Sequence, residues 1–298
     1  MKLEESKNKI TLLVLGVVLV ASVIGKNFSN KKSDSPFRMD NLVAWCVVAF
    51  DSLERNSEQR IAMLKELKFK KFAFGGREKH LVTMEEEFTM AKENNIEITS
   101  VWLWLDNRTD QPGKLKPLNE RIFKTLKDQK LETQIWLGFH SNYFEDLSDD
   151  IAFEKAQTMI SYLATRAEAI NCRIALYNHG GWSGIPKHML QIVKALPQHE
   201  LGIVYNFHHG HDDMDQFPAI VDELMPYLWC VNLNGMQKGG PKIMSIGAGT
   251  HEKQMIQSFL DKGYSGPFGV LGHVRDADTK EILMENLEGL KALFPAYP

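Results

Sequence analysis

The chain has few cysteines: Cys46, Cys172 and Cys230 are the only three in 298 residues, and each sits in or beside an apolar run. So sparse and odd a set gives no disulfide framework and fits three buried thiols. Charge of either sign is not in excess, since 35 Lys and Arg stand against 38 Asp and Glu, a net of -3. Nucleic acid therefore has no electrostatic footprint here, and a membrane surface is not favoured by charge either. The uncharged apolar run at residues 10–25 is about 16 residues long, short for a spanning helix. Also missing is the glycine-rich turn that follows the first strand of a doubly wound nucleotide-binding sheet. At that place the chain reads Ala49-Phe50-Asp51-Ser52.

What is present begins with that apolar run. Lys2, Lys7 and Lys9 precede it and Lys26 closes it. The pattern is that of a signal peptide or an N-terminal membrane anchor, and no cysteine follows to carry a lipid. Residues 1–26 are expected to be that segment, 27–36 a polar linker, and 37–298 one folded domain. The expected location is exported, periplasmic or otherwise extracytoplasmic, with contact to the membrane only through this segment.

From residue 42 the sequence alternates short apolar runs with amphipathic stretches. The runs fall at 42–50, 69–74, 96–105, 133–139, 173–177, 201–207, 228–233 and 267–271, and they are rich in Val, Ile, Trp and Phe. Short runs without alternation suit parallel strands buried on both faces. Helical patterns occupy 57–67, 83–95, 119–129, 149–170, 186–196, 215–224, 251–262 and 280–294. Ser57 suits an N-cap, Thr83-Met84-Glu85-Glu86 reads as a capping box, Pro186 suits a first helical turn and Gly263 a stop. Eight strands each followed by a helix predict an α/β fold, a single-domain (β/α)8 TIM barrel, with an open doubly wound sheet as the rival.

In such a barrel the chemistry belongs at the C-terminal strand ends. Six of the ten histidines fall there: His140, His179, His208, His209, His211 and His273. Asn178, Asn206, Asn232 and Asn234 join them, Arg77 follows the second strand, and Trp102, Trp104, Trp136 and Trp182 lie nearby. Amides and imidazoles among aromatic plates suit a sugar, the plates taking C–H faces and the polar groups taking hydroxyls. His179 and His209 are the candidate acid–base pair. Arg77, Trp104, His140, Asn178, Trp182, Asn206, His208, Asn232, Asn234 and His273 are candidate substrate contacts. Of His208 and His211, one is expected to face solvent. The alternatives are structural: a loop cap for His179, a surface ion pair for Arg77, a cap or ion pair for Asp51, core packing for the tryptophans. The glycine-rich stretch at 246–250 is either an anion cradle before a helix or, more simply, a turn.

Tyr177-Asn178-His179-Gly180, the turn Asn206-Phe207-His208-His209, Ile246-Gly247-Ala248-Gly249 and Gly263-Tyr264-Ser265-Gly266-Pro267 carry a resemblance over roughly residues 40–295. The chain resembles the xylose-isomerase-like barrels called sugar phosphate isomerases/epimerases, a group that includes ketose 3-epimerases, hydroxypyruvate isomerases and inosose dehydratases. The block from Tyr177 to His273 looks closest to an exported branch from sugar-degrading bacteria. The family typically holds one divalent metal with Glu, Asp, His and Glu on strands five to eight, and its two glutamates move the proton. At the matching positions this chain has Tyr177, Asn206, Asn232 and Gly272. The resemblance therefore implies a lost metal site, while His179 and His209 match positions that lie behind the metal or touch substrate.

Three readings follow. A pair of imidazoles, which titrate near neutrality, can take and return a proton next to the carbonyl of a sugar or keto-sugar, giving epimerisation, isomerisation or β-elimination. His179, His208, His209 and His211 can instead form a histidine-bound metal site. Or the barrel is a carbohydrate-binding protein without catalysis.

Overall fold

The structure is a computed structural model describing residues 35–295. The leader and most of the linker expected from the sequence lie outside the described residues. Contacts within the chain set off a compact unit that begins at Pro36. Among the described residues, no helix is long and apolar enough to cross a membrane.

Eight strands close into one barrel in chain order, every neighbouring pair parallel. They are β1 (Leu42–Trp45), β2 (Lys71–Phe74), β3 (Glu97–Leu105), β4 (Gln134–Phe139), β5 (Arg173–Tyr177), β6 (Leu201–Asn206), β7 (Leu228–Leu233) and β8 (Phe268–Leu271). The helices that follow them are α1 (Ser57–Glu66), α2 (Met84–Glu93), α3 (Pro117–Asp128), α4 (Asp149–Glu168), α5 (Pro186–Ala195), α6 (Phe217–Leu224), α7 (Glu252–Asp261) and α8 (Thr279–Leu293). This is the single-domain TIM barrel that the alternating runs predict.

Alternation along each strand divides the core in two. Val43, Trp45, Ala73, Trp136, Ala175, Tyr177, Val204, Cys230 and Leu271 pack inside the barrel. The other strand faces, with Leu42, Ala44, Leu103, Leu105, Ile174, Leu176 and Val231, meet the helices in the larger outer core. The interior is thus filled by side chains rather than open. Where tryptophans crowd it, the facing strand has to be small. A Cβ on Gly138 of β4 would lie 2.3 Å from both Trp102 and Trp104.

Several local expectations need correction. β1 ends at Trp45, five residues before the end of its apolar run, because Cys46 takes a left-handed backbone (φ 56°) that no strand continues. Helix α1 is capped by Asn56, in a reciprocal box with Gln59; Ser57 lies buried just inside. Thr83 makes no side-chain cap, so the capping box at α2 does not form. Pro186 does open α5, and Gly263 follows α7 with φ +80°. The 246–250 stretch does cradle a carboxylate, but one belonging to the chain. Glu252 accepts from the backbone N–H groups of Gly247, Gly249 and Met236 at 2.8–3.0 Å. It is a structural turn.

Helices α1 and α2 are locked by a buried ion pair. Arg60 Nε and Nη2 donate to Glu87 at 2.6 and 3.0 Å in a fork geometry, both side chains almost wholly buried.

Candidate functional site

A cavity of about 430 Å³ opens at the C-terminal ends of the strands, the end of the barrel where this architecture places chemistry. Its floor is aromatic. Trp45 (β1), Trp102 (β3) and Tyr177 (β5) meet with ring centroids 4.8–6.0 Å apart, and Trp104 stacks on Trp102 at 5.6 Å. Above them stands a row of imidazoles. His179 and His209 have ring centroids 4.3 Å apart, His209 and His208 4.4 Å, and His208 and His273 5.1 Å. Phe50 closes the far side, its ring tilted against His273 at 3.6 Å, with the Arg77 guanidinium 5.5 Å from its centroid.

The geometry behind the His pair is local. The Tyr177 ring points into the barrel, and the His179 backbone N–H turns back to Tyr177 O at 2.7 Å. That tight turn swings the His179 imidazole over the mouth, and Gly180 and Gly181, both with positive φ, carry the chain away. His209 ends a short 3-10 turn, Phe207–His209, whose first N–H groups are met by the Asn206 side chain: His208 N donates to Asn206 Oδ1 at 3.0 Å. Strands β5 and β6 are neighbours, so the two turns deliver their imidazoles to one point.

Burial disfavours charge in this row. It lowers the His209 pKa to about 2, helped by the neighbouring His179, His208 and His273. His179 falls to about 4, again first through burial and then through His208. His179 is exposed at the mouth, and fewer neighbouring imidazoles oppose its charge than oppose that of half-buried His209. His273 falls to about 4 for the same leading cause, and His208 is lowered as well. At neutral pH both imidazoles of the close pair are uncharged, and a proton on one opposes a proton on the other. His208 Nδ1 faces the Lys242 carbonyl at 2.9 Å; a carbonyl can only accept, so this nitrogen carries the hydrogen.

Beneath the row lies a buried hydrogen-bond cluster. The Tyr177 hydroxyl receives Trp45 Nε1–H at 2.8 Å, an N–H of Asn206, and an N–H of Asn232 at 3.3 Å. Burial raises the Tyr177 pKa well above the ordinary phenol value, so the group stays neutral. Three of these residues, with Gly272, occupy the positions that the family resemblance assigns to metal ligands. A phenol, two carboxamides and a glycine bring no anionic donor, and the amide hydrogens point inward where a cation needs lone pairs. This donor set does not fit the divalent ion. Among the described residues, no group of three or more His, Cys, Asp and Glu side chains is arranged to hold a metal.

Of the residues singled out from sequence, Arg77, Trp104, His179, Asn206, His208, His209 and His273 line the cavity. Others lie elsewhere. Asn178 follows the inward Tyr177 and so points away from the interior, where its amide pairs with the backbone of Asn206 (Oδ1 from N at 2.7 Å, Nδ2 to O at 3.1 Å). It extends the β5–β6 ladder past its last residue. Asn234 is buried and holds the loop after β7, donating to Lys242 O at 2.9 Å and accepting from Met244 N at 3.3 Å. Asn232 is wholly buried below the cavity. His140 and Trp182 line a neighbouring cavity that shares Trp104 and His179 with the first. His208 is buried, at 8% exposed, whereas His211 is part-exposed with its Nε2 inaccessible and unpartnered. Asp51 is spent on Arg55, at 2.6 Å. Trp136 is core.

Sequence reasoning passed over Trp45, Phe50, Cys46, Lys116 and Leu118, and did not select Tyr177 as a site residue; all six line the cavity. Period-2 reading back from Tyr177 through Ala175 would have placed the phenol inside.

No protein-family model matches the chain, and a search of curated proteins finds no match. Solved structures do resemble it. The 3-keto-D-glucoside 4-epimerase YcjR from E. coli superposes with a TM-score of 0.64 at 14% identity, covering 86% of this chain and 99% of that one. D-psicose 3-epimerase, determined in the presence of D-fructose, gives 0.64 at 12% identity over 86% and 99%. A xylose isomerase-like TIM barrel protein from Mycobacterium smegmatis, in complex with magnesium, gives 0.55 at 16% over 81% and 89%. At such identities the likeness establishes the fold: a xylose-isomerase-like TIM barrel.

Proposed function

We propose that this barrel is a sugar isomerase or epimerase that moves a proton next to the carbonyl of a sugar or keto-sugar, using imidazoles where its structural relatives' family uses a metal and carboxylates. The observation that carries the reading is the His179–His209 pair, 4.3 Å apart over an aromatic floor in a cavity of suitable size. The epimerase names borne by the similar barrels support the same class.

The two depressed pKa values divide the work. His179, the less depressed, is the base that takes the proton from the carbon next to the carbonyl. His209 stays neutral and donates its N–H to the carbonyl oxygen as negative charge develops there, the geometry an enediolate requires. Arg77 and the amide N–H of Asn206 not used by Tyr177 meet further oxygens, and Trp104 covers a ring face. Return of the proton from His179 to the neighbouring carbon, with the hydroxyl proton passing between the two oxygens, gives isomerisation; return to the same carbon after the enediolate turns its other face to the His179 imidazolium gives epimerisation; departure of a group from the next carbon, taking that proton as it leaves, gives β-elimination. No step runs through a metal. Asn232 is withdrawn from substrate binding, because the Tyr177 cluster lies between it and the cavity.

NMR of D-fructose, D-tagatose, D-psicose and a 3-keto-D-glucoside incubated with the protein tests the reading; new sugar resonances are the expected result. A second reading, a carbohydrate-binding barrel without turnover, draws on the amide and phenol that replace ligand chemistry at Tyr177, Asn206 and Asn232. It predicts saturation of the same cavity by sugars with no product. The leader pattern at residues 10–25 adds the inference that the chain acts outside the cytoplasm, and cell fractionation that finds it soluble inside contradicts this.

A further inference from the structure

Next to the main cavity, across Trp104 and His179, lies a second of about 370 Å³. Its walls include Phe144, His140, Ser141 and Trp182. Trp182 is the far wall: its ring packs on Phe144 at 4.9 Å and on His188 at 4.4 Å, and Nε1 donates to Asp149 at 2.9 Å. It is therefore held as a fixed plate, half-buried, with a polar edge. Trp104 is the near wall, edge-on to both His179 (4.8 Å) and His140 (6.4 Å). Beyond Trp182 the groove continues into a third depression lined by Asp149, Lys187 and His188.

We infer that the ligand is a glycosidically linked sugar of at least two rings, with its reacting ring over His179 and His209 and the next ring between Trp104 and Trp182. A lone monosaccharide has no use for a second aromatic cleft that opens from the first at the acid–base residue. The same wall carries His140 and the exposed Ser141 and Glu145, a polar lining that suits sugar hydroxyls better than an apolar ligand. The linkage oxygen crosses at His179, because that residue and Trp104 are the two shared by both cavities. The inference rests on the proposed sugar chemistry for the placement of the reacting ring.

The test is calorimetric titration of the full chain with D-fructose and with the set of glucosyl-fructose linkage isomers. An aromatic plate contributes about tenfold in affinity. At least one isomer is expected to bind about tenfold more tightly than D-fructose. Trp182→Ala should abolish that gain and leave D-fructose binding unchanged. Ser141→Trp fills the second cavity from an exposed position without disturbing the packing of Trp182, and it should give the same result if Trp182→Ala fails to fold. Isomers no tighter than D-fructose, or a gain that survives both variants, overturn the two-ring inference while sugar chemistry stands. Binding of neither class overturns both.

Discussion

Two polar layers lie one above the other in the mouth of this barrel, and they are built on opposite principles. In the lower one, N–H groups of Trp45, Asn206 and Asn232 converge on the Tyr177 hydroxyl; the layer is buried, uncharged and tied by hydrogen bonds. In the upper one, His179, His209 and His273 face a cavity, and no hydrogen bond of the described residues engages the ring nitrogens of these three. A closed network fixes geometry, whereas side chains with free lone pairs and N–H groups are available to a ligand. The difference fits the proposed function, with the lower layer as a platform and the upper layer as the working surface. Resemblance alone would have placed the chemistry in the lower one.

The largest expected effect falls on the upper layer. His179→Ala or His209→Ala should reduce turnover of a verified substrate by about 10²–10⁴-fold, with melting temperature close to that of the parent. Steady-state kinetics paired with thermal melts checks this, and parent-like rates in both variants would erase the functional distinction between the layers.

Tyr177→Phe probes the lower layer. The ring still packs, but three N–H donors lose their acceptor, so the expected cost is about 1–3 kcal/mol in urea unfolding. If stability is unchanged while turnover collapses, the platform is itself catalytic. The buried pair between α1 and α2 sets the scale for a purely structural break. Glu87→Ala leaves buried Arg60 without its counter-charge and should cost about 3–5 kcal/mol without altering the pH dependence of any surviving activity.

The most gradual effect is on the pH dependence of stability. Unfolded histidines titrate near about 6.5, whereas folded His179 and His273 stay neutral down to about 4 and His209 to about 2. Between about 6.5 and about 4 the unfolded chain binds more protons than the folded one. Stability therefore falls as pH drops through that window, and the contribution is fully present above it. Urea melts at stepped pH should show this slope, shallower in His209→Ala; a slope of opposite sign would mean that the imidazoles are charged when folded.

The barrel was legible because eight apolar runs, each followed by an amphipathic stretch, have few other solutions. The histidine pair was legible because neighbouring parallel strands end at the same level, so residues just past β5 and β6 must meet. The less legible parts have physical reasons. No Gly, Pro, Asn or Asp marks the end of β1, so Trp45 and Phe50 were read as one strand although Cys46 breaks it with a positive φ. Which asparagines face the cavity depended on the strand's alternation, and at Asn178 that alternation turns the amide to the backbone of β6. That Glu252 fills its own anion cradle depends on a helix folding back onto the turn, which spacing alone does not reveal.

The central claim is that neutral imidazoles, rather than a metal held by β5 to β8, carry the proton. Its most direct measurement is solvent deuterium exchange into a bound keto-sugar, followed by NMR on chelator-treated protein in D₂O. The account predicts deuterium at the carbon next to the carbonyl, undiminished by the chelator, with a rate flat from pH 8 to about 6 and falling only as His179 protonates near about 4, and lost in His179→Ala. Exchange that vanishes with the chelator, or that persists in His179→Ala, would contradict it.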